Sequence, residues 1–251
     1  MSSIYPSYFA RFYDLIYSNI RSDIDTDFFL KKIKEAKGPV LEVGVGTGRF
    51  FTEALIQGAD IYGIDISPAM LDILKSKIDR KYHDRVTIQD ISDFSLERKF
   101  KLIIAPFRVF MHITEPGDQL AVLNHVHDNL DKGGLFIFDL FIPDPYLLAK
   151  GMNNVIDFEG EYTPGETLRR ITSSRSDLIN QITDVTFRFE WTEKGRNFKK
   201  TWNTRLRFCF RFELEYLLMK SKFSHFQIFG DYLENLLTPA SKDFVVVCRK
   251  E

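Results

Sequence analysis

Cysteine is nearly absent from this chain. There are two in 251 residues, Cys209 and Cys248, far apart and without the C-x-x-C spacing of a zinc or redox site. This argues against a disulfide-stapled extracellular fold and for a reducing compartment with ordinary buried thiols. Excess charge is missing too. The balance of 34 basic against 35 acidic residues leaves a net charge of -1, so no global field draws the chain to nucleic acid or anionic lipid. No apolar run approaches the roughly 20 residues that cross a bilayer. Met1-Ser2-Ser3-Ile4-Tyr5 lacks the basic and apolar regions of a signal peptide. A cytoplasmic protein without membrane association is expected. Repeats and low-complexity tracts are absent. No metal site is expected either, since His125 and His127 lie two apart on a predicted helix and cannot share a face.

Apolar residues, in contrast, make up 44% of the chain, enough for a full core, and phenylalanine is abundant at 24. Residues 8–36 predict two helices. Tyr8, Phe9, Phe12, Leu15 and Ile16 recur at helical spacing, as do Phe28, Phe29, Ile33 and Ala36. After the Gly38-Pro39 breaker, Val40 to Val43 reads as a buried strand. A helix follows from Gly48 to about Gly58, then a strand over 60–64. Ser67-Pro68 is an N-cap with proline at the first helical position. Further strands are predicted over 86–88 and 100–105, a helix over 119–130, a turn at Gly133-Gly134 and a strand over 135–140. This alternation predicts a parallel sheet with crossover helices.

From 151 to 212 the period changes to two, with Ile182, Val185, Phe187 and Phe189 in one run and Trp202, Leu206, Phe208 and Phe210 in another. Gly195 marks a hairpin loop. The segment predicts an inserted antiparallel β subdomain. It is basic, with eleven Lys/Arg against six Asp/Glu between Glu161 and Phe212. A helix over 213–220 and strands over 226–229 and 244–248 complete the main sheet. The expected fold is α/β: a Rossmann-like doubly wound seven-strand sheet with N-terminal helices and an inserted antiparallel β subdomain. The expected division is a helical cap (1–36), a nucleoside-binding domain (37–150 and 213–251) and the β insert (151–212).

The chemistry starts at Glu42-Val43-Gly44-Val45-Gly46-Thr47-Gly48-Arg49, where a buried strand runs into glycines spaced by two. Glycines let the backbone turn tightly and let a ligand approach with no Cβ in the way. The following helix presents N–H groups and a positive dipole end. About twenty residues on, a second strand ends at Asp65, placed to accept from both hydroxyls of a ribose. Asp90, ending the third strand, could accept from an adenine amino group or simply face solvent. The spacing is G-x-G-x-G, not the G-x-G-x-x-G of dinucleotide enzymes, which shifts the reading from NAD toward S-adenosylmethionine.

With these motifs the chain resembles the class I S-adenosylmethionine-dependent methyltransferases, in particular small-molecule members such as amino-sugar N-methyltransferases. Glu42 to Gly48 is similar to the family's first motif, Asp65-Ile66-Ser67-Pro68-Ala69-Met70-Leu71 to its second, and Gln89-Asp90-Ile91 to its third. Leu130-Asp131-Lys132-Gly133-Gly134 resembles the turn before the fifth strand. Val45 departs mildly, standing where Cys or Ala is common. The resemblance implies that Gly44, Gly46 and Gly48 line the methionine portion, with Glu42 supporting the loop. Asp65 would bind the ribose, Ile66 and Met70 would pack near the adenine, and Asp90 and Ile91 would flank it. Ala105 and Phe107 would form the floor near the methyl group. Tyr13 would reach the cofactor's carboxylate, or else be a half-buried helix aromatic.

Methyl transfer is an in-line displacement in which the protein aligns the reactants and excludes water. A base is needed only when the acceptor enters protonated or is a weak nucleophile. His112 is the candidate, after the fourth strand; its alternative is a histidine satisfied in a helix cap. Arg108 would bind an acceptor anion or form a salt bridge. Phe187, Phe189, Trp191, Trp202, Phe208 and Phe210 would wall a pocket or belong to the core. The implied activity is transfer to N or O of a small-molecule acceptor, with the insert as a lid or a dimer surface and the chain a monomer or homodimer. Two alternatives remain. One is an RNA or protein methyltransferase docking through the basic insert, although no nucleic-acid signature motif is present. The other is a nucleotide-binding protein of another kind.

Overall fold

The computed structural model describes residues 4–20 and 24–251. Residues 1–3 and 21–23 of the predicted cap lie outside them. Helices α1 (Ser7–Ile20) and α2 (Ile24–Glu35) lead into β1 (Val40–Val43), α3 (Arg49–Ile56), β2 (Ile61–Asp65), α4 (Pro68–Lys77), β3 (Val86–Ile88) and β4 (Phe100–Ala105). Then come α5 (Pro116–Asn129), β5 (Leu130–Phe141) and α6 (Pro145–Lys150). Four long strands follow, β6 (Met152–Thr163), β7 (Glu166–Asp177), β8 (Ile182–Glu193) and β9 (Arg196–Arg207). The chain closes with α7 (Arg211–Lys220), β10 (His225–Phe229) and β11 (Asp243–Arg249).

The main sheet has seven strands in the order β10-β11-β5-β4-β1-β2-β3. Strands β1 to β5 run parallel, and β11 is antiparallel between β5 and β10. The order reverses between β1 and β4, so the crevice for a ligand opens at their C-terminal ends. All four residues of β1 are buried, as a central strand covered on both faces requires. Alternate residues feed two cores. Leu41 and Val43 pack with Ile103, Phe138, Leu123 and Leu214. Val40 packs with Ile104, Phe29, Phe51 and Leu74 on the other face.

The second sheet, β6-β7-β8-β9, is antiparallel and lies in the chain between β5 and β10. Its inner face packs on α1. Phe9 sits 5.0 Å from Phe189 and 4.8 Å from Trp202, and Phe12 is 5.6 Å from Trp191. Here the alternating aromatics become core, because the period of two puts them all on one face. The basic residues alternate with them. Glu159, Arg169, Glu190 and Lys199 form one row across the four strands with alternating sign. Arg169 pairs with Glu159, and Lys199 with Glu190. Such cross-strand pairing neutralises much of the insert's positive charge on its own sheet.

Two elements differ from expectation. Strand β5 starts at Leu130, not 135, because the expected turn glycines join the pairing with the end of the chain. Gly133 N donates to Lys250 O at 2.8 Å, and Lys250 N to Gly134 O at 2.9 Å. Helix α6 was not anticipated; its six residues are too short for a helical period to show, although Asp144 caps it through the N–H groups of Tyr146 and Leu147. Among the described residues no helix is long and apolar enough to cross a membrane.

Candidate active site

A cavity of about 570 Å³ opens over the C-terminal ends of β1, β2 and β4. Its lining includes Tyr13, Glu42, Gly44, Gly46, Asp65, Ile66, Met70, Asp90, Ile91, Phe107 and His112. Parallel pairing of β1 with β2 and β4 brings these separate stretches to one edge. Gly48 and Ala105, expected at the cofactor, do not line it. A Cβ on Gly48 would lie 2.1 Å from the Leu74 side chain, so this glycine lets α3 and α4 pack closely, in a left-handed conformation at the start of α3. Ala105 is fully buried in the core, paired with Phe138. Gly46 is the opposite case. A Cβ there would meet only the Gly44 carbonyl oxygen at 3.8 Å, so this backbone faces open cavity.

Asp65 stitches the glycine loop to the turn after β2. Its Oδ2 accepts from Gly46 N at 2.9 Å and its Oδ1 from Ser67 N at 2.8 Å. Burial raises its pKa, against the lowering effect of these backbone donors. Glu42 is 2% exposed, and its Oε2 has no hydrogen-bond partner among the described residues. Burial and then the neighbouring Asp65 charge push its pKa well above the usual carboxylate range. Asp90 turns onto Ser92, accepting from its N and Oγ at 2.9 Å each.

Both N-terminal helices clamp the loop. Asp14 of α1 accepts from Thr47 Oγ1 at 2.6 Å and from Lys77 Nζ at 2.5 Å. Arg49 forks onto Asp25 of α2 at 2.8 and 2.7 Å. Tyr5, just before α1, also lines the cavity, its carbonyl accepting from Ser67 Oγ at 3.0 Å. Tyr5 and Arg205, another lining residue, had no local sequence signal: one lies in a short lead-in and the other on the insert. Arg49 was visible beside Gly48, but its partner Asp25 was not.

His112 ends a single 3-10 turn (Val109–His112) after β4. Its Nδ1 lies 3.4 Å from the Thr204 hydroxyl on β9, and Tyr5 stands edge-on at 6.3 Å between ring centroids. Its partner is thus a side chain of the insert, not the backbone of a helix cap. Burial pushes its pKa down to about 4, so the ring is neutral at pH 7. Arg108 is not a lining residue. Its guanidinium bonds to Asp139, Asp243 and the Tyr232 hydroxyl, tying β4's end to β5 and β11. Phe107 and Arg108 both hold positive φ, 60° and 65°. Such conformations cost about 1–3 kcal/mol each, and the Arg108 network offsets part of that cost. None of the insert's six candidate aromatics lines the cavity. Phe187, Phe189, Trp191 and Trp202 pack on α1, Phe208 is in the main core, and Phe210 is half exposed.

Residues 40–134 match the model of a methyltransferase domain. Over 151 residues the chain is 29% identical to malonyl-[acyl-carrier protein] O-methyltransferase 1 of Ilyobacter polytropus, covering 59% of this chain and 52% of that protein. It is 30% identical over 106 residues to an uncharacterized methyltransferase of Bacillus mycoides, covering 42% of this chain and 48% of that one. The chain thus spans about half the length of the curated relatives it matches. Among solved structures, an S-adenosylmethionine-dependent methyltransferase from Clostridium acetobutylicum superposes with a TM-score of 0.74 at 21% identity, over 97% of this chain and 98% of that one. The CcbJ methyltransferase of Streptomyces caelestis gives 0.76 at 21%, over 96% of each. The sugar N-methyltransferase KedS8 from Streptoalloteichus gives 0.70 at 20%, over 95% of this chain and 93% of that one. At such identities these likenesses concern the fold, and they span both sheets. Fold, glycine loop and domain match agree: residues 40–134 carry a methyltransferase domain, and the whole chain has the fold of S-adenosylmethionine-dependent methyltransferases, to which it is similar.

Proposed function

We propose that this protein transfers the methyl group of S-adenosylmethionine to a nitrogen or oxygen of a small molecule. The observation that carries the reading is one continuous cavity, from the glycine loop past Asp65 to His112 and Arg205, bounded by residues of both sheets. The site's own features fit the cofactor. Gly46 offers a backbone that a ligand can approach, Glu42 keeps an unpaired buried oxygen, and Asp65 stands at the end of β2. In this reading Tyr13, Gly44 and Gly46 hold the methionine portion and Asp65 the ribose. Ile66, Met70, Asp90 and Ile91 surround the adenine, and Phe107 closes the floor. Gly48, Ala105 and Glu42 support from behind or beneath. When bound, the cofactor supplies an electrophilic methyl on a good leaving group.

The protein's part is to orient and to exclude water. The clamps from Asp14 and Arg49 hold the loop, and β9 approaches the acceptor end through Thr204. His112, neutral at pH 7, can accept a hydrogen bond from an acceptor's N–H or O–H; its low pKa makes it a weak holder of the proton. The charge rows on the insert favour a small acceptor over RNA, because much of the positive charge is already paired.

Calorimetric titration against S-adenosylmethionine and NAD tests the donor. Tighter binding of NAD, or none of S-adenosylmethionine, refutes the reading. A screen of small amines and alcohols for S-adenosylhomocysteine release then identifies the acceptor. His112→Ala should lose turnover and keep cofactor binding. RNA binding that falls steeply with salt would favour the RNA alternative.

A further inference from the structure

We propose that helix α7 is the centre of a homodimer contact, in which two copies of this chain pack their α7 helices antiparallel about a two-fold axis near Tyr216. The inference concerns assembly and does not depend on the identity of the methyl acceptor.

The first argument is that α7 is apolar on both sides. Leu214, Leu217 and Leu218 face the main core. Phe212, Tyr216 and Met219 recur at spacings of four and three, which puts them together on the opposite face. They are 62%, 63% and 67% exposed. A helix on the surface of a domain normally gives its outer face to polar residues, and one that is apolar all round is covered all round. The outer stripe has apolar neighbours. Phe210, just before the helix, is half exposed. The tip of the β7–β8 hairpin, with Leu178 and Ile179 both exposed, is held beside the helix start. There Phe208 N donates to the Gln181 carbonyl at 3.1 Å, and Gln181 Nε2 donates to Glu213 Oε2 at 2.7 Å.

The second argument is size. An enclosed aromatic side chain buries about 150–250 Å², so these six large side chains, half exposed or more, leave on the order of 700 Å² of apolar surface. The largest apolar patch of a typical monomer is about 300–600 Å². A stable protein–protein contact buries about 800 Å² on each partner. The patch is therefore of the size that one copy contributes to a dimer.

The third argument is self-complementarity, which a two-fold contact demands. Antiparallel packing about Tyr216 sets that ring against its own copy and Phe212 against the partner's Met219, an aromatic–thioether contact. Lys220 makes no ion pair among the described residues. It flanks the stripe on the same side as Glu213, at the other end of the helix. The two-fold lays it alongside the partner's Glu213, and antiparallel helices also oppose their dipoles.

The test is sedimentation analysis of the full chain across the micromolar range, with far-UV circular dichroism to monitor folding. The wild type should sediment at twice the 29.3 kDa mass of one chain. Tyr216→Glu and Met219→Lys should each weaken association at least about tenfold, with unchanged circular dichroism. Tyr216→Cys should form a disulfide-linked dimer under mild oxidation, since both native cysteines are buried. Ile56→Cys, equally exposed but on α3 across the main sheet, should not. A wild type that stays monomeric overturns the inference and leaves the patch to a different partner. A dimer that both charged substitutions leave intact also overturns it and moves the contact elsewhere, such as to the insert sheet. Absence of cross-linking by Tyr216→Cys, or equal cross-linking by Ile56→Cys, overturns the two-fold arrangement.

Discussion

Acidification should cost this fold stability through His112 in a way that one substitution removes. Burial lowers its pKa from 6.5 to about 4. The unfolded chain takes up a proton near 6.5, the folded protein only near 4. Between those values the unfolded state binds more protons, so stability is lost as pH falls through that window. With 1.36 kcal/mol per pKa unit, the loss is about 2 kcal/mol at pH 5 and about 3 kcal/mol below pH 4. Glu42 and Asp65 act with the opposite sign. Their folded pKa values are raised, so their contribution is fully present at low pH and is lost as pH rises. The overall pH curve therefore mixes both effects, and only a difference isolates the histidine. Urea unfolding of wild type and His112→Gln should be compared between pH 7.5 and pH 5. Relative to wild type, the variant should gain about 2 kcal/mol on going to pH 5. Parallel curves for the two proteins would refute the claim that His112 is held neutral by burial.

Asp65→Ala should weaken S-adenosylmethionine binding at least about tenfold by calorimetry, since each hydrogen bond to a carboxylate is worth roughly 1.5–3 kcal/mol; unchanged affinity would remove its ribose role. Glu42→Gln should raise the melting temperature at pH 8, where the buried carboxylate with its unpartnered Oε2 is penalised, and do so less at pH 5, where protonation already relieves it. A larger gain at pH 5 than at pH 8 would contradict that account. Arg108→Ala should cost about 3–5 kcal/mol in urea unfolding, because it leaves the fully buried Asp139 carboxylate without its cation, and Asp139→Asn in the same chain should recover part of this. Gly46→Ala should lose cofactor affinity with a modest stability loss, and Gly48→Ala should lose stability outright, as its Cβ strikes Leu74. Equal melting temperatures for those two variants would contradict the distinction.

Most of the main sheet was legible because its strands are short apolar runs bounded by glycine, proline and acids. The Ser67-Pro68 helix start was legible for a local reason as well: an N-cap and its proline are adjacent in sequence. The start of β5 was not, because Gly133 and Gly134 look like a turn until Lys250, from the chain's end, supplies their hydrogen-bond partner. The same limit applies to Arg108. The sequence left a ligand contact or a salt bridge open; Arg108 forms salt bridges, and its partners Asp139, Tyr232 and Asp243 come from remote segments that local sequence could not name.

The sequence by itself placed the loop and acids of the proposed donor site. A glycine loop and two acidic strand ends lie within about fifty residues, and a parallel sheet leaves them no choice but to converge on one edge. Tertiary structure decided the rest. Which residue pairs with His112, whether the insert's aromatics wall a pocket or pack on a helix, and where Tyr5 stands all depend on how β9 and α1 meet the main sheet. Periodicity assigns a residue to a face of its own element; only the packing between elements says what that face touches.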